Sequence, residues 1–142
     1  MSGVTNLELI DASGRGPTEQ RNAALVREIF THFSRADFAF FWAKVAERGD
    51  VSVIGLTPER LGRHASNPNL IPELFANGMD FTIKRVAIDG DMVIVEWEDV
   101  AEASTGKRYE NTGLSLFVFN DGGKIVTYHE YFDPEKFIGV LP

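Results

Sequence analysis

The sequence predicts an α+β fold in a single domain, on three observations. Apolar residues recur at helical spacing between residues 25 and 45. Four strand-like runs follow from residue 81: FTIKRVAI, MVIVEWEDVAEA, KRYENTGLSLFVF and KIVTYHEYF. The separators DGD, STG and NDGG are hairpin-turn sequences, so successive runs pair antiparallel. Helices first and a meander afterwards is the α+β pattern. The length of 142 residues is that of one ordinary domain, and 44% hydrophobic residues supply a core.

Residues 1–19, ending near SGRGPTEQ, read as a flexible lead-in, and 20–142 as the folded domain. The lead-in has no apolar stretch of the kind a signal peptide carries. Leu25, Ile29, Phe33 and Ala36 then form a helical stripe, widened by Val26 and Phe30. Asp37 is placed to cap a second helix carrying Phe38, Phe41, Trp42 and Val45, with Gly49 as its stop. VSVIGL, residues 51–56, reads as a short strand. A polar loop over 57–69 leads to a short helix over 70–78, with Pro72 early and Gly78 past its end.

Composition narrows the function classes. A net charge of −7 argues against a nucleic-acid partner. No stretch approaches the roughly 20 apolar residues of a membrane helix. The chain has no cysteine, which removes disulfides, thiolate nucleophiles and Cys-based metal sites, and fits a cytoplasmic location. His32, His64 and His129 lack metal-ligand spacing, so neither a metal nor a cofactor is expected. No G-x-S-x-G, G-x-G-x-x-G, P-loop or H-E-x-x-H is present. Eleven Phe residues point to an apolar interior or pocket.

Two carboxylates stand out against strand alternation. In the run 92–103, Val93, Val95, Trp97, Asp99 and Ala101 share one face, and the glutamates share the other. Asp99 is thus the only charge on an apolar face, unless the strand end frays and leaves it in solvent. In the last run, Val126, Tyr128, Glu130 and Phe132 share a face, opposite Ile125, Thr127, His129 and Tyr131. Glu130 repeats the pattern, with a surface Glu on an edge strand as the plain alternative. Two carboxyls in one apolar pocket raise each other's pKa, so that one can act as an acid and the other as a base.

The order of elements and the ending DGGKIVTYHEYFDP resemble the nuclear transport factor 2-like superfamily. Within it, the sequence resembles SnoaL-like polyketide cyclases, ketosteroid-isomerase-related proteins and limonene epoxide hydrolases, over roughly residues 20–138. KRYENTGLSLFVF is a second match. The resemblance implies a cone-shaped, strongly curved antiparallel sheet packed on N-terminal helices around an apolar pocket. It also implies homodimers formed through the sheet. Asp99 matches the first pocket acid of limonene epoxide hydrolases and Glu130 the second, and the cyclases also place an acid at Glu130. The chain departs from the hydrolase pattern by carrying Trp97 where that family has an Arg. Val53 and Gly55 stand near its water-positioning Tyr and Asn. Ser115 stands near the oxyanion-hole acid of ketosteroid isomerases, and residues 22–48 hold no Tyr.

The expected catalytic pair is therefore Asp99 and Glu130. The expected substrate-binding residues are Trp97, Tyr128, Asn111, Ser115, Phe132 and His32, the last at the fringe of the helical stripe. Asn111 is equally suited to satisfying backbone groups. The loop holding Arg60, Arg63 and His64 is a candidate lid or a grip on an anionic group, with a solvated loop as the plain alternative, and Phe137, Ile138 and Leu141 are a candidate plug. Three functions stay open: a cofactor-free acid–base enzyme on a small hydrophobic molecule, a binding module for such a molecule, and a scaffold with a vestigial pocket.

Overall fold

The computed structural model describes residues 3–142. In chain order it contains β1 (Gly3–Thr5), α1 (Pro17–Ser34), α2 (Ala39–Lys44), β2 (Val45–Ile54), α3 (Pro58–Leu61), α4 (Leu70–Leu74), β3 (Asp80–Asp89), β4 (Met92–Glu102), β5 (Arg108–Phe119), β6 (Ile125–Phe132) and α5 (Pro134–Ile138). Short 3-10 turns occupy Leu7–Leu9 and Gly62–His64. The fold is α+β, as the sequence predicts, with one curved, open sheet ordered β1-β3-β4-β5-β6-β2. Among the described residues, no helix is long and apolar enough to cross a membrane.

The strands β3 to β6 form the predicted antiparallel meander. The two edges correct the all-antiparallel expectation. β1 lies parallel to β3, and β2 parallel to β6. Each parallel partner is reached through a long helix-containing connection, which parallel pairing requires. Register shifts interrupt β2, β3 and the β5–β6 pair, and such bulges bend a sheet.

Pro17 at the first turn starts α1 behind an extended Gly16. Its buried face is Asn22, Ala23, Val26, Ile29, Phe30, Phe33 and Ser34; of the predicted stripe, Val26, Ile29, Phe30 and Phe33 lie in it, Leu25 is half-buried and Ala36 falls beyond the helix. Phe30 meets Phe81 and Phe117 edge-to-face across the inner surface of the sheet, at centroid distances of 5.6 and 6.2 Å. After α1 the chain reverses through Ala36, whose φ of 55° is left-handed. Asp37 then accepts a hydrogen bond from the Ala39 amide at 3.1 Å, the capping role expected of it.

Three further expectations change. The segment expected as a lead-in is tied down: β1 pairs with β3, Ile10 and Ala12 are buried, and the Arg27 guanidinium donates to the Ile10 carbonyl. Val4 and Leu7 add apolar contact that the polar composition around them masks. The second helix ends at Lys44, and Gly49 lies inside β2. A Cβ there would stand 2.6 Å from Val45 Cγ1, so Gly49 permits a close approach at a bulge and stops no helix. On β6, Phe119 pairs with Ile125 and Val118 with Thr127, leaving Val126 out of the ladder. That irregularity turns Ile125 inward in place of Val126.

Candidate functional site

Register places the inner-face residues of the meander in rows. Glu130, Ser115 and Val95 make one row. Phe132, Gly113, Trp97 and Ile83 make the next, and Asn111, Asp99 and Phe81 the third. The sheet curls around these rows, and the helices close over it, leaving a cavity of ≈ 680 Å³. Its walls are mostly aromatic and aliphatic. They include Phe33 and Phe41 from the helical side, Phe81, Trp97 and Tyr128 from the sheet, and Phe137 from α5. Asp37, Asp99 and Glu130 also line it, and among the described residues no Lys, Arg or His does.

The two inner acids have different surroundings. Asp99 is 4% exposed, and its Oδ1 has no hydrogen-bond partner. Burial, with the charge of Glu130 as a lesser cause, pushes its pKa up from 3.8 to about 8. The amides of Asp99 itself and Asn111 oppose that rise. Glu130 is half-buried, its remaining exposure opening into the cavity it lines. Burial raises its pKa too, opposed by a hydrogen bond donated from the Tyr128 hydroxyl to Oε1.

That bond ends a chain of buried donors. The Trp97 indole N–H donates to Ser115 Oγ at 2.9 Å, and Ser115 lies 3.0 Å from the Tyr128 hydroxyl. An indole N–H can only donate, and an ionised carboxylate can only accept. Donors therefore point the same way through Ser115 and Tyr128 and end on Glu130. Burial and the Glu130 charge hold the Tyr128 hydroxyl well above its ordinary pKa, so it remains a donor. The chain needs a glycine beside it. A Cβ on Gly113 would stand 2.4 Å from Trp97 Cζ2 and Cη2, so the indole occupies the space over Gly113.

The acids are not a contacting pair. β5 lies between their strands, about 10 Å across, and their rows differ by four residues along β5, about 13 Å in a flat sheet. Curvature shortens this, and Trp97 stands between them. The arrangement offers one carboxyl that is neutral below about pH 8 and one that is oriented by a fixed donor, which suits an acid and a base acting on separate atoms.

The model of the SnoaL-like domain matches residues 26–128. The chain belongs to the SnoaL-like family. Its sequence has no match among curated proteins. Solved structures share the fold. A protein assigned as a SnoaL-like polyketide cyclase from Jannaschia sp. CCS1 superposes with TM-score 0.67 at 14% identity, over 92% of this chain and 97% of that one. An NTF2-like protein of unknown function from Burkholderia pseudomallei K96243 gives 0.66 at 21%, over 85% and 97%. An LEH-like epoxide hydrolase from M. tuberculosis gives 0.60 at 20%, over 85% and 89%.

Within this SnoaL-like domain the cavity unites Trp97, Asp99, Tyr128, Glu130 and Phe132. Three other expected binding residues lie outside its lining. Ser115 is fully buried behind it, inside the donor chain. Asn111 is buried and bonds the Asp133 carbonyl and amide at 3.0 and 3.1 Å, fixing the start of α5. His32 lies on the flank of α1, where it bonds Asp37 at 3.0 Å and stacks on Phe40 at 4.3 Å. The candidate lid is tied to the C-terminal segment: Arg60 pairs with Glu135, and Arg63 and His64 reach the Pro142 oxygen at 3.0 and 3.2 Å. Of the candidate plug, Phe137 lines the cavity. Sequence reasoning missed Asp37 and Tyr109 as lining residues. Asp37 was legible only as a cap. Tyr109 shares the inward face of β5 with Asn111, and that alternation was the available signal.

Proposed function

We propose that the protein is a cofactor-free enzyme that moves protons on a small hydrophobic molecule held in the sheet cavity. The chemistry supported is isomerisation, aldol-type cyclisation or epoxide opening. The observation that carries this reading is two carboxyls with raised pKa facing one apolar cavity. Asp99 holds the substrate's polar head and exchanges a proton with it. Glu130, oriented by Tyr128, takes a proton from carbon or from a water. Since a whole row of side chains lies between them, they act on different atoms of one substrate. Trp97 and Phe132 pack against its apolar body. Relatives assigned as a polyketide cyclase and an epoxide hydrolase support this range of reactions.

The test is a pH titration of the side-chain carboxyl carbons by NMR, without ligand, on wild type, Asp99→Asn and Glu130→Gln. Two resonances are expected to titrate above the rest, one disappearing in each variant. Titration of every carboxyl near 4 would remove the acid–base assignment. A second reading, a binding module for a hydrophobic metabolite, is favoured by the lack of contact between the two acids. It is chosen if both variants keep ligand affinity and no turnover is found in either wild type or variant. A homodimer through the outer sheet face fits the half-buried row Leu114, Leu116 and Val118 there, and light scattering on the purified chain tests it.

A further inference from the structure

We propose that the ligand of this cavity is a hydrophobic amine, its protonated nitrogen seated against Asp99 and its apolar body packed on the aromatic walls. The proposal rests on the cavity being a ligand site and not on turnover there.

Charge is the first argument. Three carboxyls line the cavity and no basic side chain does. A ligand with a carboxylate or phosphate head would bury its charge in an apolar space lined by no basic side chain. A protonated amine supplies the missing charge. The second argument is an unfilled valence. Asp99 Oδ1 is buried without a partner, whereas Glu130 already accepts from Tyr128. Buried acceptors are normally satisfied, so a donor is expected from the ligand, and at Asp99. The third is the wall beside it. Phe81 is the cross-strand partner of Asp99, and it meets Trp97 edge-to-face at 5.4 Å. Aromatic faces around a carboxylate are the setting in which an ammonium group is held.

Proton balance is simple. A free amine that enters takes the proton of neutral Asp99, and an ammonium that enters displaces that proton to water. Either route ends with an ammonium against a carboxylate.

Three probes with one body test the idea: 2-naphthylmethylamine, 2-naphthylmethanol and 2-naphthoate, titrated calorimetrically into wild type at neutral pH and low salt. The amine is expected to bind at least about tenfold tighter than the alcohol, and naphthoate weakest. Asp99→Asn is expected to bring the amine down to about the affinity that the alcohol has for the same variant. In wild type alone, the amine is expected to shift the Asp99 carboxyl carbon resonance most, a readout that holds even if the variant does not fold. Binding of the alcohol or naphthoate as tightly as the amine overturns the amine assignment and leaves the cavity as a ligand site. No binding by any of the three overturns both.

Discussion

Raising the pH from 5 to 9 is expected to destabilise this protein, and Asp99→Asn is expected to remove much of that loss. In the folded chain Asp99 keeps its proton until about pH 8, against an ordinary value of 3.8. Between those values the native state binds a proton that the unfolded chain has released. Stability then falls as pH rises, by about 1.4 kcal/mol per pH unit for one group. Integrated from 3.8 to about 8, the loss is on the order of 5 kcal/mol, and water drawn into the cavity by the new charge lowers the realised figure. Glu130, also raised by burial, acts with the same sign. Asp11 and Asp37, held low by bonds to Ser13 and His32, act only below about pH 4, outside the window. Self-repulsion from the net charge of −7 also grows with pH, so the informative quantity is wild type minus variant. Urea unfolding at pH 5, 7 and 9, at fixed ionic strength and followed by Trp fluorescence, measures it. Asn keeps the shape of the side chain and cannot ionise, so at pH 5 the variant should lead by only about 1–2 kcal/mol. At pH 9 the variant should be more stable by about 3–5 kcal/mol. Parallel wild-type and variant stabilities from pH 5 to 9 would refute the placement of Asp99 as a deeply buried carboxyl.

Gly113→Ala should destabilise by about 2–4 kcal/mol, because the new methyl meets the Trp97 ring at 2.4 Å and the Tyr131 carbonyl at 2.9 Å. Urea unfolding checks it, and a change within 0.5 kcal/mol would count against the packing of that ring. Ser115→Ala leaves the Trp97 N–H without its acceptor and should cost about 1–3 kcal/mol by the same measurement. Tyr128→Phe removes the donor that opposes the raised pKa of Glu130, so the Glu130 carboxyl carbon should titrate at higher pH than in wild type. An unchanged or lower midpoint would show that Tyr128 does not hold Glu130.

Much of the fold was legible because its signals are local. The faces of β4 are sharp: five apolar or acidic residues inward, glutamates outward, with no bulge between Met92 and Glu102 against β5. The turns between the long strands carry their own chemistry, and α1 carries its own stripe. Where local rules broke, a tertiary contact had replaced them. Ile125 and Val126 exchanged faces because a register shift against β5 adds one residue. Val45 left the helical pattern because β6 offered it a strand partner. His32 belonged to the right helix and the wrong flank, since a difference of one position moves a side chain about 100° around the axis.

The α+β class, the meander and the inward direction of Asp99 follow from the chain alone, because strand alternation needs no knowledge of neighbours. The same alternation puts Tyr128 and Glu130 on one face. How these residues meet is set by tertiary contacts. Curvature and register stack Trp97 over Gly113, link it through Ser115 and Tyr128 to Glu130, and leave Asp99 Oδ1 without a partner. Apart from Tyr128 and Glu130, neighbours on β6, these contacts join residues of different strands. Each depends on a pairing register that no single segment encodes, since a shift of one residue along β5 would turn its inward side chains to the other face.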